Sequence, residues 1–185
     1  MIWARILLLA AAQTIALGYM IVDRQAMLNA SRVVTLKVVP VDPMDPLRGE
    51  FVILNYAISR LKPAELDGED KFNNADTIYV TLQNKGEDWA AVAIGHRPVA
   101  VQGGVVIKGT VNYANEFTVD AKTTTELNIT YGIESFFVPQ GMGRDIEDTR
   151  QKGDLTADIA IDPKGRAAIK AMRRKGEVFY VEGIL

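Results

Sequence analysis

The hydrophobic pattern divides the chain into an unbroken apolar run near the N-terminus and a series of shorter β-type runs after it. Residues 6–22 read ILLLAAAQTIALGYMIV and carry no charge, whereas Arg5 precedes the run and Asp23 and Arg24 follow it. A helix needs about 20 residues to cross roughly 30 Å of hydrocarbon, so these seventeen residues lie at the short end of that range. Residues 2–4 lengthen the apolar stretch.

We predict that residues 1–28 form an uncleaved single-pass membrane anchor with its juxtamembrane segment. The alternatives are a cleaved signal peptide and a helix buried in the core. A signal peptide needs a small-x-small cleavage site, for which residues 28–30 (Leu-Asn-Ala) are a poor substitute. A core helix is rarely apolar around its whole circumference. Basic residues flank both ends, so the charge rule for topology is uninformative. The short basic start favours an extracytoplasmic, periplasmic domain.

Residues 29–185 are expected to form one mainly-β domain, an antiparallel barrel or sandwich. β-branched and aromatic residues dominate the runs, and turn residues separate them. Residues 155–161 alternate apolar and polar positions, and we favour a return strand over a helix for the segment that follows them. The predicted strand regions are 33–39, 51–59, 78–82, 89–94, 105–111, 127–138, 155–161, 166–174 and 178–181. Residues 127–138 are expected to form either one bent strand or two strands.

An internal similarity suggests two similar β halves. Residues 34–39 leading to 54–59 resemble residues 106–111 leading to 129–134. Each second segment carries the pattern aliphatic-x-Tyr-x-Ile, centred on Tyr56 in one half and Tyr131 in the other. Chance similarity between two β segments is the favoured reading, because apolar alternation recurs in any β protein, and a true duplication is the alternative.

Composition narrows the chemistry. The 185 residues include no Cys and a single His, and the net charge is −2. The lack of Cys excludes disulfides, a thiol nucleophile and thiolate metal sites. A nucleic-acid binder normally shows a basic excess, so we expect no nucleic-acid partner. We also predict no catalytic residue, no cofactor and no metal.

Residues 40–51 form the densest cluster of unusual residues. Three prolines within residues 40–46 restrict the backbone. Arg48 stands among Asp42, Asp45 and Glu50, so a turn held by ion pairs is the favoured interpretation. Binding of a cation by the carboxylates is the alternative, although the spacing is not that of an EF-hand loop.

Two blocks of sequence resemble the GDYXXLXY-motif family. The first reads Gly-Glu-Phe-Val-Ile-Leu-Asn-Tyr over residues 49–56, where Glu50 and Phe51 replace the family's Asp and Tyr conservatively. The second, residues 131–141, is similar to the family's second characteristic block. The resemblance implies an N-terminally anchored protein that sits beside a multi-pass membrane protein, and it carries no catalytic role. The motif residues, of unassigned role, are Asp42, Asp45, Arg48, Gly49, Glu50, Phe51, Leu54, Tyr56, Tyr131, Gly132, Glu134, Phe137, Pro139, Gly141 and Arg144.

A polar ligand pocket would form if Glu50, Tyr56, Tyr131, Glu134 and Arg144 converged, but a structural framework is the favoured reading of these residues. His96, in a loop after a strand, is expected to be solvated or to cap the backbone.

The sequence therefore favours a non-enzymatic binding or accessory domain of the cell envelope, tethered to the membrane. The alternative is a carboxylate-dependent hydrolase or small-ligand-binding enzyme that uses Asp42, Asp45 or Glu50 together with Glu134.

Overall fold

The computed structural model describes residues 2–29, 32–39, 51–86, 88–119, 122–137 and 154–182. Within these ranges only the backbone is described at residues 51–53, 118, 119, 122, 123, 136 and 137. Eight of the predicted motif residues lie outside the described residues: Asp42, Asp45, Arg48, Gly49, Glu50, Pro139, Gly141 and Arg144.

The N-terminal apolar run forms one long helix, α1 (Ile2–Asn29). Its 28 residues are long and apolar enough to cross a membrane, since a helix rises about 1.5 Å per residue. Every side chain of residues 2–22 is exposed. The alternative of a helix buried in the core is therefore wrong, because the described contacts of the β domain with the helix begin only at Asp23.

The rest of the described chain is built of strands, as predicted. The strands are β1 (Arg32–Val39), β2 (Phe51–Ile53), β3 (Asn55–Tyr56), β4 (Arg60–Leu61), β5 (Asp67–Gly68), β6 (Thr77–Asn84), β7 (Trp89–Gly95), β8 (Val105–Val119), β9 (Lys122–Thr130), β10 (Ser135–Phe137), β11 (Leu155–Ile161), β12 (Ala167–Arg174) and β13 (Glu177–Val181).

The strands form a half-barrel of three sheets. One sheet has the order β13-β12-β11-β1-β3, a second has the order β4-β9-β8-β6-β7-β5, and a short pair joins β10 to β2. Neighbouring strands are antiparallel, apart from the parallel pair β5 and β7. The prediction of a mainly-β fold is confirmed.

Alternation along the strands places one core between the sheets. In β1 the buried side chains are Val34, Leu36 and Val38, which face the same side because successive strand residues point to opposite faces. The segment after residues 162–166 is strand β12, as favoured over a helix, and it pairs with β11. β11 is buried on both faces, so the side chain of Asp158 is buried. Its Oδ2 accepts a hydrogen bond from Nε of Arg173 at 2.8 Å.

One predicted strand region is interrupted, and another consists of two strands, where the chain passes between sheets. Residues 51–59 do not form one strand: β2 and β3 are followed by a 3₁₀ turn over Ala57–Ser59. For residues 127–138, predicted as one bent strand or two strands, the described part up to residue 137 forms the end of β9 and the separate strand β10, with a bend over residues 131–134. Both interruptions occur because the chain must turn a corner to pair with a different sheet.

The C-terminal end of α1 is held against the β domain. Met27 and Leu28 pack with Ala168 of β12. Asp23 accepts two hydrogen bonds from the guanidinium of Arg166, at 2.8 and 3.1 Å. The β domain therefore presents a defined face toward the helix.

Candidate functional site at the paired tyrosine corners

The two tyrosines predicted from the internal similarity meet at adjacent corners of the fold. The hydroxyl of Tyr56 donates to the carbonyl oxygen of Ile133 at 2.7 Å, and the hydroxyl of Tyr131 donates to the carbonyl oxygen of Ile58 at 2.7 Å. Each acceptor lies two residues beyond the other tyrosine. Both phenols are buried: Tyr56 is 1% exposed and Tyr131 is 6% exposed. Each corner therefore supplies the hydrogen-bond acceptor that the other one needs.

The same local symmetry extends to the backbone. The N–H of Tyr56 donates to Ser59 Oγ at 3.1 Å, and the N–H of Tyr131 donates to Glu134 Oε1 at 2.5 Å. In both cases the acceptor is the side chain three residues later. The β4–β9 and β2–β10 ladders flank the corners and run antiparallel in matching register. The two segments are thus related by a local pseudo-twofold axis.

β1 and β8 are also related by this symmetry. The residues that correspond in the structure differ by one position from those that correspond in the sequence comparison. In β1, Val38 pairs with Tyr56. In β8, Gly109 has the corresponding place, because a Cβ there would lie 3.0 Å from Cδ1 of Tyr131. The buried residues of β1 therefore align with Val105, Ile107 and Gly109 of β8, one residue earlier than the sequence similarity suggests.

Glu134 is engaged on every side. Its two carboxylate oxygens accept the N–H groups of Tyr131 at 2.5 Å and Gly132 at 2.9 Å. Its own carbonyl oxygen accepts the N–H of Leu54 at 2.7 Å. A side chain used in this way organises the bend, since its acceptor atoms are directed at the backbone of its own loop.

Burial raises the pKa of both phenols well above the ordinary tyrosine range, and the negative charge of Glu134 raises it further. Tyr56 and Tyr131 therefore stay protonated and remain hydrogen-bond donors. A buried neutral phenol whose proton is held by a backbone carbonyl is suited to stabilising the corner.

Five of the predicted motif residues make side-chain or backbone hydrogen bonds at the two corners: Leu54, Tyr56, Tyr131, Gly132 and Glu134. Phe51 and Phe137 are partners in the β2–β10 ladder. The two sequence blocks are therefore adjacent in space. Glu50 and Arg144, which the pocket hypothesis also needed, lie outside the described residues.

A second polar cluster surrounds His96, directly after β7. Its Nδ1 contacts Glu69 Oε2, its Nε2 lies 3.2 Å from Asp76 Oδ2, and its ring stacks on Phe72 with 4.6 Å between centroids. Its backbone N–H also donates to Glu69 Oε1 at 3.1 Å. The sequence predicted that His96 lies in a loop, but it did not predict these partners. Glu69 and Phe72 precede His96 by more than 20 residues, and Asp76 precedes it by 20.

The two carboxylates set the charge of this imidazole. The hydrogen bond to Glu69 makes the largest contribution to the raised pKa of His96, and the hydrogen bond to Asp76 makes the next largest. The same contacts help to hold the pKa of both carboxyl groups below their usual ranges. For Asp76 the backbone N–H of Asn73 is the largest cause. The imidazole, whose charged form both carboxylates favour, therefore ties the segment after β5 and the segment before β6 to the end of β7.

We predict that the stability of the domain falls as the pH rises from 6 to 9. A raised pKa means that the contribution of His96 is complete below its ordinary value of about 6.5 and is lost as the pH passes the raised pKa. The lowered carboxylate pKa values act oppositely: their contribution is present above about pH 4.5 and is lost in stronger acid. Melting temperatures measured in steps of pH should therefore peak near pH 5–6.

His96 is the single histidine of the chain, so the test is direct. The imidazole NMR signals of the full chain should titrate with a pKa above 6.5, and the His96→Asn variant should lose most of the decline between pH 6 and 9. An imidazole pKa at or below 6.5 would contradict the prediction.

No group of three or more His, Asp and Glu side chains is placed to hold a metal ion within the described part of the chain. In the tyrosine corners and in the His96 cluster, the polar side chains instead form hydrogen bonds within the protein.

These features define a class: a mainly-β domain, built around reciprocal tyrosine corners, that carries one N-terminal apolar helix. Within that class the chain belongs to the GDYXXLXY family, since the family model described as GDYXXLXY protein matches residues 13–172. The resemblance of the two sequence blocks is thereby confirmed. Searches of curated proteins and of solved structures found no match.

Proposed function

We propose that the protein is a membrane-anchored, non-enzymatic binding or accessory domain of the cell envelope, with its β domain on the periplasmic side. The observation that carries the proposal is the contrast along α1. Its apolar residues 2–22 are exposed, whereas Met27 and Leu28 are packed on the domain. Removing such a long apolar surface from water requires a bilayer or a partner.

The polar chemistry of the domain supports a binding role over catalysis. The hydroxyls of Tyr56 and Tyr131 and both carboxylate oxygens of Glu134 are engaged in bonds within the corners. The alternative hydrolase would use Glu134 as an acid or base, and a general acid or base needs an oxygen within reach of a substrate proton. The engagement of Glu134 therefore favours the accessory function.

A multi-pass membrane protein is the partner that we propose for the helix. Gln13 lies near the middle of the apolar run and is exposed on α1. A side-chain amide within hydrocarbon is stabilised by hydrogen bonding to a neighbouring helix. The resemblance to the family points to the same kind of partner.

The anchor is tested on the full chain with a C-terminal tag, expressed in bacterial membranes. We expect the protein to resist carbonate extraction, to keep its N-terminal residues, and to be digested by protease added to spheroplasts but not to inside-out vesicles. The Ile15→Arg variant should insert less efficiently, since a central arginine costs about 2.5–3.5 kcal/mol on insertion scales. Ile15→Ala is the matched control and should behave like the unaltered chain.

Release by carbonate would overturn the anchor, and loss of residues 1–28 would identify a cleaved signal peptide. Digestion only in inside-out vesicles would place the domain in the cytoplasm and overturn the periplasmic assignment.

A further inference from the structure

A cavity of about 540 Å³ lies where α1 meets the β domain. Met27 of α1 forms one wall, and Lys108 and Thr110 of β8 form another. Glu134 of the corner and Arg166 at the start of β12 complete the rim. The cavity is therefore bounded by the anchor itself as well as by both large sheets.

The position of the cavity along α1 determines how deep the cavity would lie in a membrane. Asp23 is the first charged residue after the apolar run, and Met27 follows four residues later. Four residues of α-helix span about 6 Å along the axis. When residues 6–22 occupy the hydrocarbon, the cavity lies at the level of the lipid headgroups.

The charges around the cavity are not equally available. Arg166 already binds Asp162 through Nε at 2.6 Å and Asp23 through its other nitrogens. The carboxylate of Glu134 is directed at the backbone of its own bend. Both groups shape the rim, but their strongest bonding positions are occupied.

Lys108 is the cation that remains available. Its side chain is exposed, and no carboxylate of the described residues lies within ion-pair distance of its ammonium. Its backbone is fixed, because its N–H donates to the carbonyl oxygen of Gly165 at 2.8 Å. Thr110 follows two residues later on the same face of β8 and lines the same cavity. The two side chains offer an ammonium and a hydroxyl as donors, a combination suited to phosphate oxygens.

We propose that this cavity binds the phosphate headgroup of a membrane phospholipid. The ammonium of Lys108 and the hydroxyl of Thr110 contact the phosphate oxygens. Met27 and the neighbouring Ala167 contact the glycerol end, and the acyl chains follow the apolar surface of α1. The inference rests on the proposed membrane anchor, because only a spanning helix brings the cavity to headgroup depth.

The test uses the full chain in detergent micelles, with its lysines labelled by reductive ¹³C-methylation, which retains their charge. The Lys108 signal is assigned as the one absent from Lys108→Arg. We expect dihexanoyl phosphatidylglycerol to shift this signal saturably, with half-saturation at a concentration at least about ten-fold lower than inorganic phosphate requires. Dihexanoylglycerol, which has the same tails without phosphate, should not shift it. Lys85, in the exposed turn between β6 and β7, is the internal control and should not respond saturably.

Three results would overturn the headgroup site: no saturable shift of Lys108, an equal response of Lys85, or equal affinity for inorganic phosphate and for the phospholipid. The last result would show a general anion site. Failure of the anchor is distinguishable, because carbonate extraction reports on insertion whereas the micelle titration reports on Lys108 itself.

Discussion

Replacing Tyr131 with alanine is expected to lower the free energy of unfolding by about 3–5 kcal/mol, the usual cost of removing a buried aromatic side chain. Tyr131→Phe should cost about 1–3 kcal/mol, because it keeps the ring and leaves the buried carbonyl oxygen of Ile58 without its donor. The carbonyl lies in the 3₁₀ turn of the opposite corner. Loss of one hydroxyl therefore weakens both corners.

The measurement is chemical denaturation of the full chain in mild detergent, carried out in a Trp3→Phe background so that the fluorescence reports on Trp89, which packs against the core. Tyr113→Phe is the matched control. Tyr113 lies on β8 and 41% of it is exposed, so its hydroxyl should contribute less than about 0.5 kcal/mol.

The reciprocal geometry predicts coupling as well. Tyr56→Phe should cost about as much as Tyr131→Phe, since its hydroxyl bonds to Ile133 in the same way. The double variant should deviate from the sum of the two single effects, because residues in one contacting network are not independent. Single effects below about 0.5 kcal/mol, or strict additivity, would contradict the corner as a cooperative unit.

Gly68→Ala is expected to cause the second large loss, about 2–5 kcal/mol. Gly68 has φ +110°, and a Cβ built there would lie 2.1 Å from the carbonyl oxygen of Ile94. That oxygen also accepts the N–H of Glu69 at 3.1 Å. The substitution combines backbone strain with a clash that no side-chain rotation relieves. β5 would have to move away from β7, and Glu69 would move away from His96.

Gly86→Ala separates the two causes. Gly86 has nearly the same dihedral, φ +113°, but nothing lies within 4 Å of its built Cβ. It should cost only the strain of a positive φ, about 1–2 kcal/mol. Denaturation gives both values, and the histidine titration of Gly68→Ala should show a pKa closer to the ordinary 6.5. Equal losses at the two glycines would contradict a steric role for Ile94.

The positions of the strands were predictable where the hydrophobic pattern is local. The alternation in β1, the hairpin of β6 and β7, and the turn at residues 162–166 each depend on neighbours within a few residues. The prediction failed at residues 51–59, where an apolar and β-branched run gave no sign of a corner. The 3₁₀ turn there is stabilised by the hydroxyl of Tyr131, a residue far along the chain, and such a bond leaves no local trace.

The candidate site shows the same division. The pattern around Tyr56 and Tyr131 predicted that the two segments were alike, but their hydrogen bonds to each other's corners required the folded arrangement. The His96 cluster and the cavity beside α1 had no sequence signal. Their members come from separate strands and loops, and the spacing between such residues depends on topology.

The sequence by itself determined the apolar helix, the mainly-β domain after it, and membership of the family through two blocks of residues. These are properties of local periodicity and of residue identity, which a linear chain carries in full. Only the tertiary structure decided that the tyrosines bond reciprocally, that His96 lies between two carboxylates, and that Lys108, near α1, has no ion-pair partner among the described residues. Each of those depends on distances between segments far apart in the chain, which packing and strand pairing alone establish.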